Sequence, residues 1–495
     1  MAQDLPITDN QQAASGRAGY QNLGMWLGPL LFILIAISPT PEGLSDTAWM
    51  TAAIGVWMAI WWSTEAVHVA VTALLPLVVF APLNILPIKA ASAPYANPTI
   101  YLFLGGFIIA TALQKANLHK RIAYFILSYV SRSARSIILG FMIVSAILSM
   151  WMTNTSTTMM LLPIALSIVS TMETEQSGFS LKERRHFQLS LLLGIAYAAT
   201  IGGMSTLVGT PPNAFLVGFM NETYNVQLDF AKWMLIGVPL SVTLLPIAWL
   251  ALTRWIYPVS FVTPDSARMQ LAKQRQALGP VRQEEWRVGI IFSLVALAWM
   301  TRPLLSTWLS IDGLSDAGIA MFAAVALFIV PAGKGREGAL MAWEDMKSIP
   351  WGVLVLFGGG LSLAAAVSDS GLAQWLGEGL VNMNAFGMIV LVLCATTLVI
   401  FLTELTSNLA TSATFLPVVA VLALEMGGEP MMLMIPVTLA ASCAFMLPVA
   451  TPPNAIVFSS GYISIPQMAK AGFILNLMSI LLVTALAVWV APLIF

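Results

Sequence analysis

Apolar residues run in long blocks along this 495-residue chain, near 22–39, 47–62, 65–88, 98–115, 136–172, 188–217, 231–253, 287–303, 316–331, 351–368, 384–424, 431–460 and 469–495. Stretches such as 25–38, 235–252 and 478–495 are near the length that a helix rising about 1.5 Å per residue needs to cross about 30 Å of hydrocarbon. Strands of a membrane barrel would be about ten residues long and alternate polar with apolar, which these blocks do not do. The pattern predicts an all-α integral membrane protein.

Two blocks are too long for one crossing. Residues 136–172 are interrupted by Thr153-Asn154-Thr155-Ser156-Thr157-Thr158, and 384–424 by Thr406-Ser407-Asn408 with Thr411, Ser412 and Thr414. Each is either two full spans or a hairpin that enters and leaves on one face. The first lies between Lys115, Lys120, Arg121, Arg132 and Arg135 on one side and Lys182, Arg184 and Arg185 on the other, so both ends read as cytoplasmic. The second lies between Asp369 and Glu378 upstream and Glu425 and Glu429 downstream, with no Lys or Arg nearby, so both ends read as external.

With both taken as re-entrant hairpins, about 11 spans lead from a cytoplasmic N-terminus to an external C-terminus. The loop holding Arg254, Arg268, Lys273, Arg275, Arg282 and Arg287 then falls inside, as does the one with Lys334, Arg336 and Lys347. Loop 218–230, with Glu222 and Asp229, falls outside. Five crossings separate the two polar runs, an odd number that inverts one relative to the other and points both at the midplane.

The chain repeats itself at this point. Phe103-Leu104-Gly105-Gly106, Asn117-Leu118, Thr153-Asn154-Thr155 and Pro163 recur 254 positions later as Phe357-Gly358-Gly359-Gly360, Gly371-Leu372, Ser407-Asn408-Leu409 and Pro417. Each half closes on the same string, Thr210-Pro211-Pro212-Asn213 and Thr451-Pro452-Pro453-Asn454. Duplicated polar residues and helix breakers within apolar surroundings are the mark of a secondary transporter's binding site.

Lipid cannot satisfy these polar groups, each of which costs several kcal/mol when left unpaired in hydrocarbon. In a hairpin, the second limb presents free N–H groups and the positive end of its dipole to an anion. The first limb ends in free carbonyls which, with hydroxyl and amide oxygens, suit a hard cation such as Na⁺. Pro disfavours helix at the residue before it and lacks an N–H, so carbonyls at Gly209 and Ala450 are freed as well. Asn213 and Asn454 either tie the unwound turns to their neighbours or face ligand. The bland alternative is that Ser and Thr bond back to their own helices and Asn stabilises helix contacts; the duplication weighs against it. The paired Gly runs read as close helix contacts. Glu404 is either a proton-coupling carboxylate or a structural one, and Glu65 leans to structure.

Composition narrows the partners. With 58% hydrophobic and 9% charged residues and a net charge of −1, the chain belongs in a lipid bilayer, and no basic block suggests nucleic acid. Residues 1–21 are polar, carry Asp4 and Asp9, and read as a cytoplasmic tail before a retained first helix. Residues 116–135 mix basic and apolar positions as an amphipathic helix at the cytoplasmic surface does. Cys394 and Cys443 read as inert, His68, His119 and His186 as isolated, and no organic cofactor is implied. An intramembrane enzyme would need a nucleophile with a positioned base or a metal cluster, and no such pairing is present in the sequence.

The paired Asn motifs, each followed by Thr-Pro-Pro-Asn, resemble the divalent anion:sodium symporter family. Trp61-Trp62-Ser63-Thr64-Glu65-Ala66 followed by Thr72-Ala73-Leu74-Leu75-Pro76 is similar to that family's early signature. The resemblance implies an elevator-type, Na⁺-coupled carrier of small di- or tricarboxylates, working as a homodimer in the inner membrane, each protomer having a scaffold and a transport part. Scaffold helices would occupy 22–115, the first hairpin and broken helix 136–217, a linking helix, loop and further scaffold helices 218–368, and the second hairpin, broken helix and last helix 369–495. It also implies one Na⁺ site at Ser149, Thr153, Asn154 and Gly209, and another at Thr403, Thr406, Asn408 and Ala450. The small anionic substrate would meet Asn154, Thr155, Thr210, Ser407, Asn408, Leu409, Thr451 and Pro452.

The family's usual triplet is Ser-Asn-Thr in both halves. Thr153 keeps the hydroxyl, whereas Leu409 removes one at the position expected to touch substrate, which opens a different dicarboxylate, a tricarboxylate such as citrate, or sulfate beside the family's usual C4 dicarboxylates. A cation-independent exchanger is the rival within the family. Leu409→Thr is expected to raise selectivity for succinate or malate in competition uptake; unchanged selectivity would mean that this position does not read substrate.

Overall fold

The computed structural model describes residues 19–129, 133–174, 180–262, 265–311, 313–333, 337–380 and 387–494, and their regular elements are helices. The expected tail lies outside the described residues up to position 18, as do Arg132, Lys334 and Arg336. The chain opens with α1 (Gly19–Ile37), α2 (Asp46–Thr64), and the short α3 (Val69–Thr72), α4 (Leu75–Val79) and α5 (Ile88–Ser92). Then come α6 (Pro98–Lys115), α7 (Leu118–Leu127), α8 (Ala134–Ser149), α9 (Asn154–Thr174), α10 (Leu181–Gly203), α11 (Pro211–Tyr224) and α12 (Phe230–Leu250). Between the halves stand α13 (Asp265–Ala277), α14 (Gln283–Leu309) and α15 (Asp316–Ile329). The second half comprises α16 (Trp351–Asp369), α17 (Leu372–Leu380), α18 (Gly387–Thr403), α19 (Asn408–Glu425), α20 (Met431–Ser442), α21 (Pro452–Phe458) and α22 (Ile465–Trp489), with α23 (Ala491–Ile494) at the end.

Local chemistry sets the boundaries. Asn97 accepts the N–H of Thr99 at 2.9 Å, and Pro98 takes the first helical position, so α6 starts there. It stops at Asn117, whose φ of 58° is left-handed. Helix α7 is two-faced: Ala123, Tyr124 and Leu127 are buried while Phe125 is exposed. Arg121 forks onto Glu285 of α14, and the Tyr124 hydroxyl meets Gln274 of α13 at 3.0 Å. Burial lowers the His119 pKa, outweighing the bond between its ring and the Leu113 carbonyl.

One expected span differs. Block 65–88 is broken into α3 and α4 instead of forming one crossing. Glu65 ends α2 in the left-handed region at φ 46°, His68 caps α3, Pro76 begins a new helix, and Asn84 turns at φ 54°. Its apolar composition concealed four successive interruptions.

Helices α6 to α12 repeat in order as α16 to α22. Phe103 and Phe357, equivalent in the duplication, touch each other with ring centroids 5.3 Å apart. Equivalent residues meet in this way where a pseudo-two-fold axis passes. The contacts away from the axis are reciprocal too: α9 packs on α21, and its counterpart α19 packs on α11.

Glycines set how closely the layers approach. A Cβ on Gly105 would stand 2.6 Å from the Ala320 Cβ of α15, and one on Gly359 would stand 2.2 Å from the Ala73 carbonyl oxygen. Gly359→Ala is therefore expected to cost about 2 kcal/mol through overpacking, read as a lower melting temperature of the purified protein. Gly55→Ala, whose Cβ would meet its nearest atom at 3.9 Å, should leave the melting temperature unchanged or raise it.

Candidate functional site

Each half breaks its helices twice, once between the hairpin limbs and once before the Pro-Pro pair. In the first hairpin, α8 ends at Ser149 and α9 begins at Asn154. Thr153 caps α9, its Oγ1 accepting the Ser156 N–H at 3.2 Å. Across the gap, Ser149 Oγ donates to Asn154 Oδ1 at 2.5 Å. The second hairpin repeats this bond at the equivalent residues, Thr403 Oγ1 standing 2.9 Å from Asn408 Oδ1.

The Thr-Pro-Pro-Asn breaks are also superimposable in kind. Thr210 and Thr451 adopt nearly the same extended backbone, φ −144°, ψ 140° and φ −143°, ψ 149°. Asn213 Nδ2 donates to the carbonyls of Met204 at 3.2 Å and Thr206 at 2.8 Å, and Asn454 Nδ2 to those of Ala444 at 3.2 Å and Leu447 at 3.0 Å. The Nδ2 of each string's Asn therefore ties the unwound turn together, while its buried Oδ1 has no partner among the described residues.

Oxygen atoms gather beside these turns. A Cβ on Gly203 would stand 2.5 Å from Asn154 Oδ1 and 3.0 Å from the Gly209 carbonyl oxygen. Asn154 and Gly209 therefore face one small space that a side chain at 203 would fill, with Ser149 Oγ alongside. In the second half, Thr403 Oγ1 is within 2.9 Å of both Asn408 Oδ1 and the Ala441 carbonyl oxygen, at 2.8 Å from the latter. One hydroxyl proton is shared between two acceptors. Three oxygens with a single proton among them form a locally electron-rich cluster of the kind that hard cations occupy.

The remaining expected residues sit less uniformly. Thr406 Oγ1 turns to Thr411 Oγ1 at 2.6 Å and to the Leu402 carbonyl at 3.1 Å, and the Ala450 N–H closes its turn on the Leu447 carbonyl at 3.2 Å. Asn154, Thr155, Ser407 and Asn408 are half-buried, Thr210 and Thr451 are buried, and Pro452 is exposed. Leu409 is 4% exposed and lies within the hydrophobic core. Ser407 makes no side-chain cap to α19, so the first-turn N–H groups of that helix, unlike those of α9, are not occupied by its own N-cap.

The two Asn motifs are linked through the turns. Asn154 abuts Gly203; the next residue, Met204, has its Sδ 3.7 Å from Cys443 Sγ; and Ala441, two residues earlier, holds Thr403 and through it Asn408. Glu404 accepts N–H bonds from Phe445 at 2.8 Å, Met446 at 2.9 Å, Leu447 at 3.1 Å and Asn476 Nδ2 at 2.7 Å. It caps the second unwound turn, which is the structural alternative. Gly203, Ala441 and the turn held by Glu404 were missed in the sequence, since a carbonyl oxygen or an absent side chain leaves no residue-type signal. The recurrence of the Thr-Pro-Pro-Asn string could have directed attention to the residues just before it.

Comparisons with known proteins agree with this architecture. The model of the sodium:sulfate symporter transmembrane region matches residues 22–495. The chain is 42% identical over 475 residues to the sodium-dependent dicarboxylate transporter SdcS of Staphylococcus saprophyticus, covering 95% of this chain and 92% of that protein. It is 42% identical over 477 residues to SdcS of Staphylococcus aureus strain USA300, covering 96% and 92%. Among solved structures, the YdaH transporter of Alcanivorax borkumensis aligns with a TM-score of 0.56 at 14% identity over 96% of this chain and 97% of its own. MtrF of Neisseria gonorrhoeae aligns at 0.54 with 12% identity, over 95% and 94%. At these identities the structural likeness concerns the fold.

Asn454→Ala would leave the carbonyls of Ala444 and Leu447 without their donor. The expected cost is about 1–3 kcal/mol, seen as faster amide hydrogen exchange across 443–451; unchanged exchange there would mean that the turn holds its shape without this side chain.

Proposed function

Because the chain belongs to the sodium:sulfate symporter family, we propose that it is a secondary active, Na⁺-coupled symporter of small dicarboxylates. The family label names sulfate, but the SdcS relatives, 42% identical over nearly the whole chain, are named as dicarboxylate transporters. That likeness favours a C4 dicarboxylate over citrate or sulfate, and a Na⁺-dependent carrier over a cation-independent exchanger.

The observation that carries the reading is the pair of oxygen clusters, Ser149–Asn154–Gly209 and Thr403–Asn408–Ala441, each at a broken helix; their hydroxyl and Asn members are equivalent in the duplication, while the third oxygen comes from a different carbonyl in each half. In this reading Na⁺ is held at the first by Ser149, Thr153, Asn154 and Gly209. At the second it is held by Thr403, Thr406, Asn408 and Ala450, with the Ala441 carbonyl added. The Asn side chain suits a shared role, since its Oδ1 turns to the cation cluster while its Nδ2 remains a donor for a carboxylate. Among the described residues neither Asn154 Nδ2 nor Asn408 Nδ2 has a hydrogen-bond partner.

The substrate carboxylates then lie between Asn154 and Thr155 on one side and Ser407 and Asn408 on the other, bordered by Thr210, Thr451 and Pro452. The uncapped first turn of α19 supplies N–H donors and the positive end of the helix dipole. Leu409, sealed in the core, belongs to the support of this site and does not touch the guest. Bound cations offset the negative charge of the substrate, so neither is held well without the other.

The odd number of crossings between hairpins favours an inverted repeat in the inner membrane, with a cytoplasmic N-terminus and an external C-terminus. A transport part built on 136–217 and 369–495 would move against a scaffold as an elevator, in a homodimer.

Purified protein in proteoliposomes is expected to take up succinate saturably with external Na⁺ and to lose that uptake in choline. Asn154→Ala or Asn408→Ala should reduce Na⁺-driven uptake at least a hundredfold while the protein still inserts and purifies as a single species. Equal uptake in Na⁺ and choline would contradict the coupling, and full activity in either Asn variant would contradict the site.

A further inference from the structure

The two oxygen clusters have the same design, but one carries a charge that the other lacks. Glu404 follows Thr403 directly, and the equivalent position in the first half is Met150. The Glu404 carboxylate is 3% exposed. It accepts five hydrogen bonds, from the backbone N–H groups of Phe445, Met446 and Leu447 and from Asn476 Nδ2, with Met446 shared by both oxygens at 2.9 and 3.0 Å. Among the described residues it is given no acceptor to which it could donate, and that pattern of donors alone suits a carboxylate anion.

The first half anchors its turn without charge. Thr206 Oγ1 bonds the Met150 carbonyl at 2.5 Å and accepts the Gly209 N–H at 3.1 Å, while Ser205 bonds Ser241 at 2.8 Å. The job is the same, to hold an unwound segment in a fixed shape beside an Asn motif. Besides the Asn of each string, uncharged hydroxyls do it on one side and a buried carboxylate on the other.

We infer that Glu404 is the positioning residue of the second cation cluster, and that its negative charge makes this cluster the tighter of the two Na⁺ sites. The inference rests on the Na⁺-coupled reading above. It has two parts with one cause. By gripping 445–447, the carboxylate fixes the turn that begins just after Ala441 and Ser442, and so fixes the Ala441 carbonyl against Thr403. Glu404 is buried and next to Thr403 in the chain, and a charge in a low-dielectric interior attracts a cation more strongly than it would in water. In the first half the position equivalent to Glu404 is the uncharged Met150. Filling of the two sites is then ordered, the Thr403–Asn408–Ala441 cluster first.

The test is a Na⁺ titration of the purified full-length protein without substrate, read by thermal unfolding through tryptophan fluorescence, with choline holding ionic strength constant. Thr403→Ala is expected to raise the Na⁺ concentration for half-maximal stabilisation at least tenfold, and Ser149→Ala to raise it less than threefold. Glu404→Gln should match Thr403→Ala, because the amide replaces one acceptor oxygen by a donor facing N–H groups, and Glu404→Asp should recover part of the affinity. A merely structural Glu404 would lower the melting temperature of Glu404→Gln and leave its Na⁺ midpoint at the wild-type value, which would overturn the inference. Should Glu404→Gln not fold, equal shifts in Ser149→Ala and Thr403→Ala would overturn it as well. A wild-type protein that Na⁺ does not stabilise at all would remove the Na⁺ coupling beneath it, a result distinct from equal sites.

Discussion

A backbone that stops being helical inside a low-dielectric layer leaves N–H and carbonyl groups that hydrocarbon cannot satisfy, and this chain does so four times. At every break some of those groups are met from within. Thr153 takes an N–H of α9, Asn213 and Asn454 gather the carbonyls of their turns, Thr206 bridges Met150 and Gly209, and Glu404 collects three consecutive N–H groups. Among what remains in the described residues are the oxygens around Asn154 and Asn408, the buried Oδ1 atoms of Asn213 and Asn454, and the uncapped first turn of α19. The protein satisfies enough of its broken backbone to hold a shape and leaves the rest for its cargo. In the proposed function, cation and anion are the complementary halves of that remainder.

The duplication explains how two such arrangements came to face each other. The self-contact of Phe103 with Phe357, and the reciprocal seating of α9 on α21 and α19 on α11, place each hairpin limb beside the half-helix of the opposite repeat. Each half therefore packs against the other's hairpin. Within that symmetry the halves have diverged where ligand would meet them: Thr153 caps its helix and Ser407 does not, Gly203 stands where the second half has Ala444, and Met150 stands where it has Glu404. Two cations held by unequal clusters can bind in sequence, which equal clusters would not enforce.

Much of this was legible in the chain because it depends on local chemistry. Asn97-Pro98 opened a helix, a polar run within an apolar block marked each hairpin, and Thr-Pro-Pro-Asn marked each second break. What depended on distant partners was not legible. Block 65–88 has the composition of a span, and its interruptions arise from individual caps and left-handed residues at Glu65 and Asn84. The hydrogen bonds of Glu404 are to backbone N–H groups 41 to 43 residues away, where side-chain identity says nothing. Leu409 occupies the motif position expected to touch substrate, yet its side chain turns into the core, because helix phase at the first turn of α19 decides its direction and a three-residue motif does not record phase.

The central claim is that Na⁺ and a dicarboxylate complete the same four breaks, so the affinity of each must depend on the other by one coupling free energy. Isothermal titration of the purified protein with succinate at several Na⁺ concentrations measures that directly. Succinate binding should be undetectable in choline and tighten steeply as Na⁺ rises, with Na⁺ binding tightened by the same factor when succinate is present. Succinate binding of equal strength in choline and in Na⁺ would contradict the account.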